Sequence, residues 1–499
     1  MKKFILLIIL LQCILNTFSQ TDYDKYKENR KSDEKNYKQT QKEGFNTYKK
    51  ERQQEIANLL KTQWEEKEVL AGRKRPERPS LPELPKADTN ETIKENRLNV
   101  EIISQPKSEA IVIKRPEDTP EKPKIDSIIF PKNQTAVNFK FYDYNVNEYY
   151  NQEFIKKLSG ISEKAIGTFW EQMKNTDYYN LIDKYLQTKE SLRLNDWAYF
   201  LYIQELSKNI FPIGYENERN VFTAFILNCS GYNVRLAMDI SKTKIYLMLS
   251  VINDIFEIPY WKMDNRKYII FNKSDNSSIF TCAKLNSLSS DEKNFNMYIS
   301  EPIFQKQSNT IIGRKNLESS IFYDESETIT FNANLKNFYD KYPACNFEVY
   351  FNSLPSKEVI LSLDKLFNPL LAGKTDLEKV EMFLKFIHES FEYKTDEEQF
   401  GREKYFFVEE MFMYKYNDCE DRAIFFSYLV KRFTKLKVVG VIYYDHAAIA
   451  VKFNENIKGT YYMYNGDKYY VCDPTYIGAK IGQAMPQYNN QSVEIIEVY

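Results

Sequence analysis

Asn417-Asp418-Cys419-Glu420-Asp421-Arg422-Ala423 is the stretch on which the reading of this chain turns. Asp418 is a residue type that caps helices and Asp421 falls at the third helical position. Ala423, Phe426, Val430 and Phe433 then follow Cys419 on a single helical stripe. Cys419 is thereby predicted to open the inward face of a helix. Unpaired N–H groups at a helix start carry partial positive charge, which favours a thiolate, and the Cys419 N–H can serve as an oxyanion donor. Glu420 and Asp421 act against this. Helical geometry predicts that both point away from the thiol, which leaves the helix end and a nearby imidazole to dominate at short range.

Further on, Val438 to Tyr444 and Ala447 to Phe453 are apolar and β-prone, and Tyr461 to Tyr464, Asn465-Gly466 and Lys468 to Cys472 read as a hairpin with a primed turn. His446 starts one of these strands and Asp473 ends another. The chain has only two histidines. The other, His388, belongs to a helix announced by the capping box Thr375/Glu378 and by the stripe Leu377, Val380, Leu384, Ile387 and Phe391. Its neighbours Glu381, Lys385 and Glu392 predict a solvated surface position. A thiol, an imidazole and a carboxylate, each at the end of a regular element, form the set needed for nucleophile, general base and orienting acid. Helix followed by antiparallel sheet predicts an α+β fold.

Asn417-Asp418-Cys419-Glu420-Asp421-Arg422-Ala423, Asp445-His446-Ala447 and Cys472-Asp473-Pro474-Thr475 together resemble the three signatures of the transglutaminase-like superfamily, whose fold is papain-like. The match spans about residues 370 to 480. The resemblance implies that Cys419 is the nucleophile, His446 the general acid/base and Asp473 its orienter. It also implies acyl transfer through a thioester, completed by hydrolysis or by transfer to an amine, with no metal and no cofactor. Two positions depart from the family pattern: Asp418 stands where a glycine often precedes the cysteine, and Ala448 replaces an aromatic after the His-Ala pair. Gln399 and Tyr414 are the candidates for a side-chain oxyanion donor.

Sliding the sequence by about 202 residues sets Asn220 to Leu227 and Gly231 to Leu236 beside Arg422 to Leu429 and Leu436 to Val441, and Asn265 to Asn272 beside Gly466 to Asp473. Asn217 then stands opposite Cys419, Lys244 opposite His446 and, with one insertion, Asn272 opposite Asp473. None of the three can do the chemistry. Two readings stay open over 131–289: a degenerate copy kept for packing, substrate binding or gating, or the chance alignment that any helix-plus-sheet segment with apolar runs would give. A strand-rich connector over 290–365, with Thr328 to Phe331 and Phe347 to Phe351 as strands, leads into a catalytic domain over 366–499.

Met1-Lys2-Lys3, the apolar run Phe4 to Leu15 and the small-residue site Thr17-Phe18-Ser19 read as a secretory signal over 1–19, which predicts an exported, periplasmic, envelope-associated or secreted protein. The run is too short for a membrane span, and no later segment approaches the ~20 apolar residues that one requires. Residues 20–130 read as a charged helical or disordered arm followed by a proline-rich linker; Ile56, Leu59, Leu60 and Trp64 form one apolar stripe that can dock on the body or on an envelope partner. Lys+Arg of 69 against Asp+Glu of 70 gives no argument for nucleic acid or an anionic membrane as partner. Five cysteines follow the leader, an odd number, so at least one is free or paired between chains, and Cys419 is the natural free one. The function these features predict is an exported cysteine enzyme acting on amide bonds of protein or peptide. The competing reading is a non-catalytic envelope binding or assembly protein built on the same fold.

Overall fold

Apolar residues crowd the strands that follow the Cys419 helix because both faces of their sheet are covered. In Ala447–Lys452, Ala447, Ile449 and Val451 face one core with Ala423, Phe426 and Val430 of the helix, whereas Ala448 and Ala450 join Val439, Val441, Tyr462 and Val471 in a second core behind the sheet. The side-chain period of two sorts one strand into two cores. The computed structural model describes residues 46–62, 64–75, 83–104 and 134–499, apart from 264–265, 273–278, 284–291, 305–309 and 324–325, together with positions 27, 30, 40 and 44. The expected leader, residues 76–82 of the first proline-rich run and the whole of the second lie outside the described residues.

The fold is mixed α and β with curled sheets. The downstream sheet runs Asn96–Arg97, Thr460–Tyr464, Asp467–Cys472, Ala447–Lys452, Lys437–Ile442, Val493–Glu497, Ile102–Ser104, with the five inner strands antiparallel and the two margins parallel to their neighbours. Asn465 and Gly466, at φ 50 and φ 83, make the tight turn of its outer hairpin, where both central residues must be left-handed. The two marginal strands explain the curl. From Arg97 to Ile102 the chain reaches at most about 18 Å, whereas the margins of a flat seven-stranded sheet would lie about 29 Å apart.

The upstream sheet runs Trp64–Glu68, Ile279–Ala283, Val234–Asp239, Ile245–Ser250, Arg266–Ile270, Tyr260–Met263, antiparallel throughout. Its connection order matches that of the downstream sheet. In each, a helix (Glu216–Cys229 or Cys419–Phe433) leads to a central hairpin, the next hairpin adds outward on one side, and the last strand returns to the other side.

The arm is not a tether throughout. Residues 46–62 form a helix whose Ile56, Ala57 and Leu60 are buried, and Trp64–Glu68 completes the upstream sheet. Gln53 ties the two, donating from Nε2 to Asn228 Oδ1 at 2.9 Å and accepting from Trp170 Nε1 at 3.0 Å. Gly167 permits this approach, because a Cβ there would lie 2.7 Å from the Ala57 carbonyl oxygen. The connector also differs from expectation. Thr328 to Phe331 does lie in a hairpin, Ile312–Glu318 with Ser326–Asn332, but Phe347–Phe351 is a short helix and Lys357–Leu371 a long one. Phe347, Val349, Tyr350 and Phe351 are all buried, so packing on every side overrides the β-propensity of that run. Glu409, fully buried, fastens connector to downstream module: its carboxylate accepts from Asn332 N–H and Ser356 Oγ at 2.8 Å and from Ser356 N–H at 2.9 Å. Among the described residues no helix is long and apolar enough to cross a membrane.

Candidate active site

Cys419 is the first residue of the helix Cys419–Phe433, with Asp418 extended at the N-cap and its N–H donating to Asp421 Oδ2 at 3.3 Å. Arg422 locks the turn into the helix, donating from Nε to Asn417 Oδ1 at 2.9 Å and from Nη2 to the Phe391 carbonyl at 2.8 Å. The quoted motif thus holds its own entry geometry. The backbone N–H of Ala447, the first residue of the strand that follows His446, lies close enough to the Cys419 sulfur to favour its thiolate against burial.

His446 is wholly buried, and its Nε2 meets Asp473 Oδ2 at 2.8 Å. Asp473 is itself held, its Oδ1 accepting from Thr475 N–H at 2.9 Å and Tyr476 N–H at 3.2 Å. A carboxylate on Nε2 fixes the tautomer that carries its proton there. The Nδ1 lone pair is left as the acceptor, and Nδ1 is buried and, among the described residues, without a hydrogen-bond partner. The imidazole stacks on Tyr488, centroids 5.0 Å apart, and on Tyr443 at 5.9 Å. Cys419, His446 and Asp473 are 1%, 0% and 2% exposed, and burial, then the charges of Asp445, Cys419 and Asp473, raises the hydroxyl of Tyr488, the ring on which His446 stacks.

Glu420 departs from expectation. It does not point away; the Cys419 thiol donates to Glu420 Oε2 at 2.9 Å. Burial first, then the charges of Glu420 and Asp418, push the Cys419 thiol well above the ordinary cysteine range, and the Ala447 N–H works against them. The resting sulfur is therefore a protonated thiol turned to Glu420. The physical reason lies in burial: a buried thiol turns to the nearest strong acceptor.

A group of carboxylates surrounds the helix start. Asp396, Asp418 and Asp421 bring oxygens within 4.8 Å of one another, a spacing that a cation could bridge. Burial and mutual repulsion raise all three, Asp396 to about 8, so protons can neutralise the group as well. Phe406 N–H to Asp421 Oδ1 at 2.8 Å and Lys404 N–H to Asp396 Oδ2 at 2.6 Å supply partial compensation.

His388 also departs from expectation. It is half-buried, accepts from Gly478 N–H at Nδ1 at 3.3 Å, and its Nε2 lies 3.4 Å from the Asp473 carbonyl oxygen. Burial holds its pKa down to about 4, so it is a neutral buttress of the loop that carries Asp473. Gln399 and Tyr414 are not at the thiol. Gln399 exchanges hydrogen bonds with the Tyr416 backbone at 3.2 and 3.3 Å, and the Tyr414 hydroxyl donates to Asp340. Sequence reasoning missed Tyr443, Tyr488 and Asp396; only Tyr443, three residues before His446, carried a local signal. Among the described residues Cys229, Cys345, Cys419 and Cys472 are all free and buried. No family model, curated protein or solved structure matches the chain.

Proposed function

We propose that the chain is an exported, cysteine-dependent acyl-transfer enzyme of transglutaminase-like, papain-like architecture, acting on amide bonds of protein or peptide. The observation that carries the reading is the buried His446, tied through Nε2 to Asp473 with Nδ1 unpartnered, beside a cysteine at a helix start. In the first half-reaction the thiol leaves Glu420, its proton passes to His446 Nδ1, and sulfur attacks the carbonyl carbon. The Cys419 N–H stabilises the oxyanion. The C–N bond breaks, the leaving amine takes the proton from Nδ1, and a thioester remains. Water or a second amine then gives a proton to Nδ1 and attacks; the C–S bond breaks and the thiol is restored.

A second reading, a binding protein that retains the fold without turnover, is favoured by one observation: the thiol is sealed and its pKa raised. The two separate on treating wild type and Cys419→Ala with a thiol-directed electrophile and a mixed peptide library, mapping labelled sites and products by mass spectrometry. The enzyme reading expects labelling at Cys419 and peptide products that vanish in Cys419→Ala. No labelling at Cys419, or identical products from both proteins, sinks it.

A further inference from the structure

The two modules agree beyond their connection order. Ile245 N–H, at the start of the upstream strand, donates to Asn217 Oδ1 at 2.7 Å, and Ala447 N–H, at the start of the downstream one, favours the Cys419 thiolate against burial. Lys244 and His446 immediately precede those strand starts. Met248 pairs with Ile270 and Ile449 with Cys472, so extending each ladder sets Asn272 and Asp473 opposite the second residue of the corresponding strand. The upstream module thus has a place equivalent to the active site, filled by Asn217, Lys244 and Asn272.

That place is open. A cavity of about 1090 Å³ lies over it, with Lys244 and Asn272 in its wall. Phe141, Trp197, Tyr246 and Phe271 give it an aromatic floor. Of its carboxylates, Glu205 pairs with Lys208 at 3.1 Å and Glu216 with Arg219 at 4.0 Å. Lys140 and Lys341 remain on the rim, both exposed and, among the described residues, without a carboxylate partner. Lys244 adds a third ammonium, 5.2 Å from the Tyr246 ring. The Asn272 and Asn337 side chains present amides that can donate and accept together.

We infer that this cleft binds a polypeptide segment in which acidic side chains flank an aromatic residue. The carboxylates meet Lys140, Lys244 and Lys341, the ring meets the aromatic floor, and the peptide backbone meets the asparagine amides. A volume at the upper end of ordinary ligand sites suits several residues rather than a small metabolite. The acidic character follows from the cleft itself; its being a polypeptide rests on the proposed function, in which the chain acts on protein or peptide. The upstream module then holds substrate protein near the downstream site.

The test is fluorescence anisotropy on the full chain with labelled Glu-Asp-Phe-Asp-Glu, its alanine-centred analogue, its lysine counterpart and a heparin oligosaccharide. Wild type and Cys419→Ala are expected to bind the acidic phenylalanine peptide equally, the alanine analogue several-fold more weakly and the lysine peptide not at all. Lys140→Glu/Lys341→Glu, changed at two exposed positions, is expected to bind at least tenfold more weakly. Unchanged binding by that double variant, absence of binding by wild type, or tighter binding of the oligosaccharide overturns the inference. Binding that persists where Cys419 proves unreactive removes only the enzyme reading.

Discussion

The Cys419 helix and the helix Glu216–Cys229 lead into sheets of one connection order, yet the downstream module buries a His446–Asp473 pair and the upstream one borders an open cavity. The difference teaches that backbone frame and chemistry are separable here. Sheet order holds the frame whether a cysteine or an asparagine stands at the helix start. What changes is water: around Cys419 its exclusion raises the cost of every charge, and around Asn217 the rim lysines keep theirs.

The comparison breaks most sharply at the base. His446→Ala is expected to slow electrophile labelling of Cys419 at neutral pH by a hundredfold or more, whereas Lys244→Ala leaves it unchanged; equal effects would mean that the modules do not differ in the assigned way. Acid sharpens it next. The folded pKa of His388 lies near 4 against 6.5 when free, so its contribution is complete above 6.5 and lost as pH falls toward 4. That loss is on the order of 2 kcal/mol. Stability measured by denaturant titration should fall across that window in wild type and less in His388→Gln, with amide exchange rising first near Asp473. Glu420→Gln removes a negative charge from the thiol and should speed Cys419 labelling about tenfold, one unit of pKa; a slower rate would assign Glu420 a productive part in proton transfer. Smallest, Asn217→Ala deletes the bond to Ile245 N–H and should cost about 1 kcal/mol without altering Cys419 labelling.

Much of the downstream frame was legible because it is written locally. Thr375 with Glu378, Asp418 with Asp421, and Asn465-Gly466 each satisfy their own backbone, and the structure shows each in that role. The connection order shared by the two sheets had a trace in apolar runs about 202 residues apart. The illegible parts depend on distant packing. Glu420 turns to the thiol, and His388 goes inward, because segments far along the chain exclude water from them. Gln399 and Tyr414 were plausible donors by type, but backbone and Asp340 partners from elsewhere claim them. Phe347 to Phe351 reads like a strand and coils because four of its five residues, Phe347, Val349, Tyr350 and Phe351, are buried together.

The short marginal strands have a last consequence. Residues 96–97 and 102–104 finish both rims of the downstream sheet, with Leu98 N–H on the Tyr461 carbonyl at 3.0 Å and Val493 N–H on the Glu101 carbonyl at 3.0 Å. One clasp therefore shuts the curl like a bracelet. Brief rims also give a neighbouring polypeptide little ladder to extend, so molecules are discouraged from joining rim to rim. A single proteolytic nick between Leu98 and Glu101 would free the two rims together and let the bracelet spring.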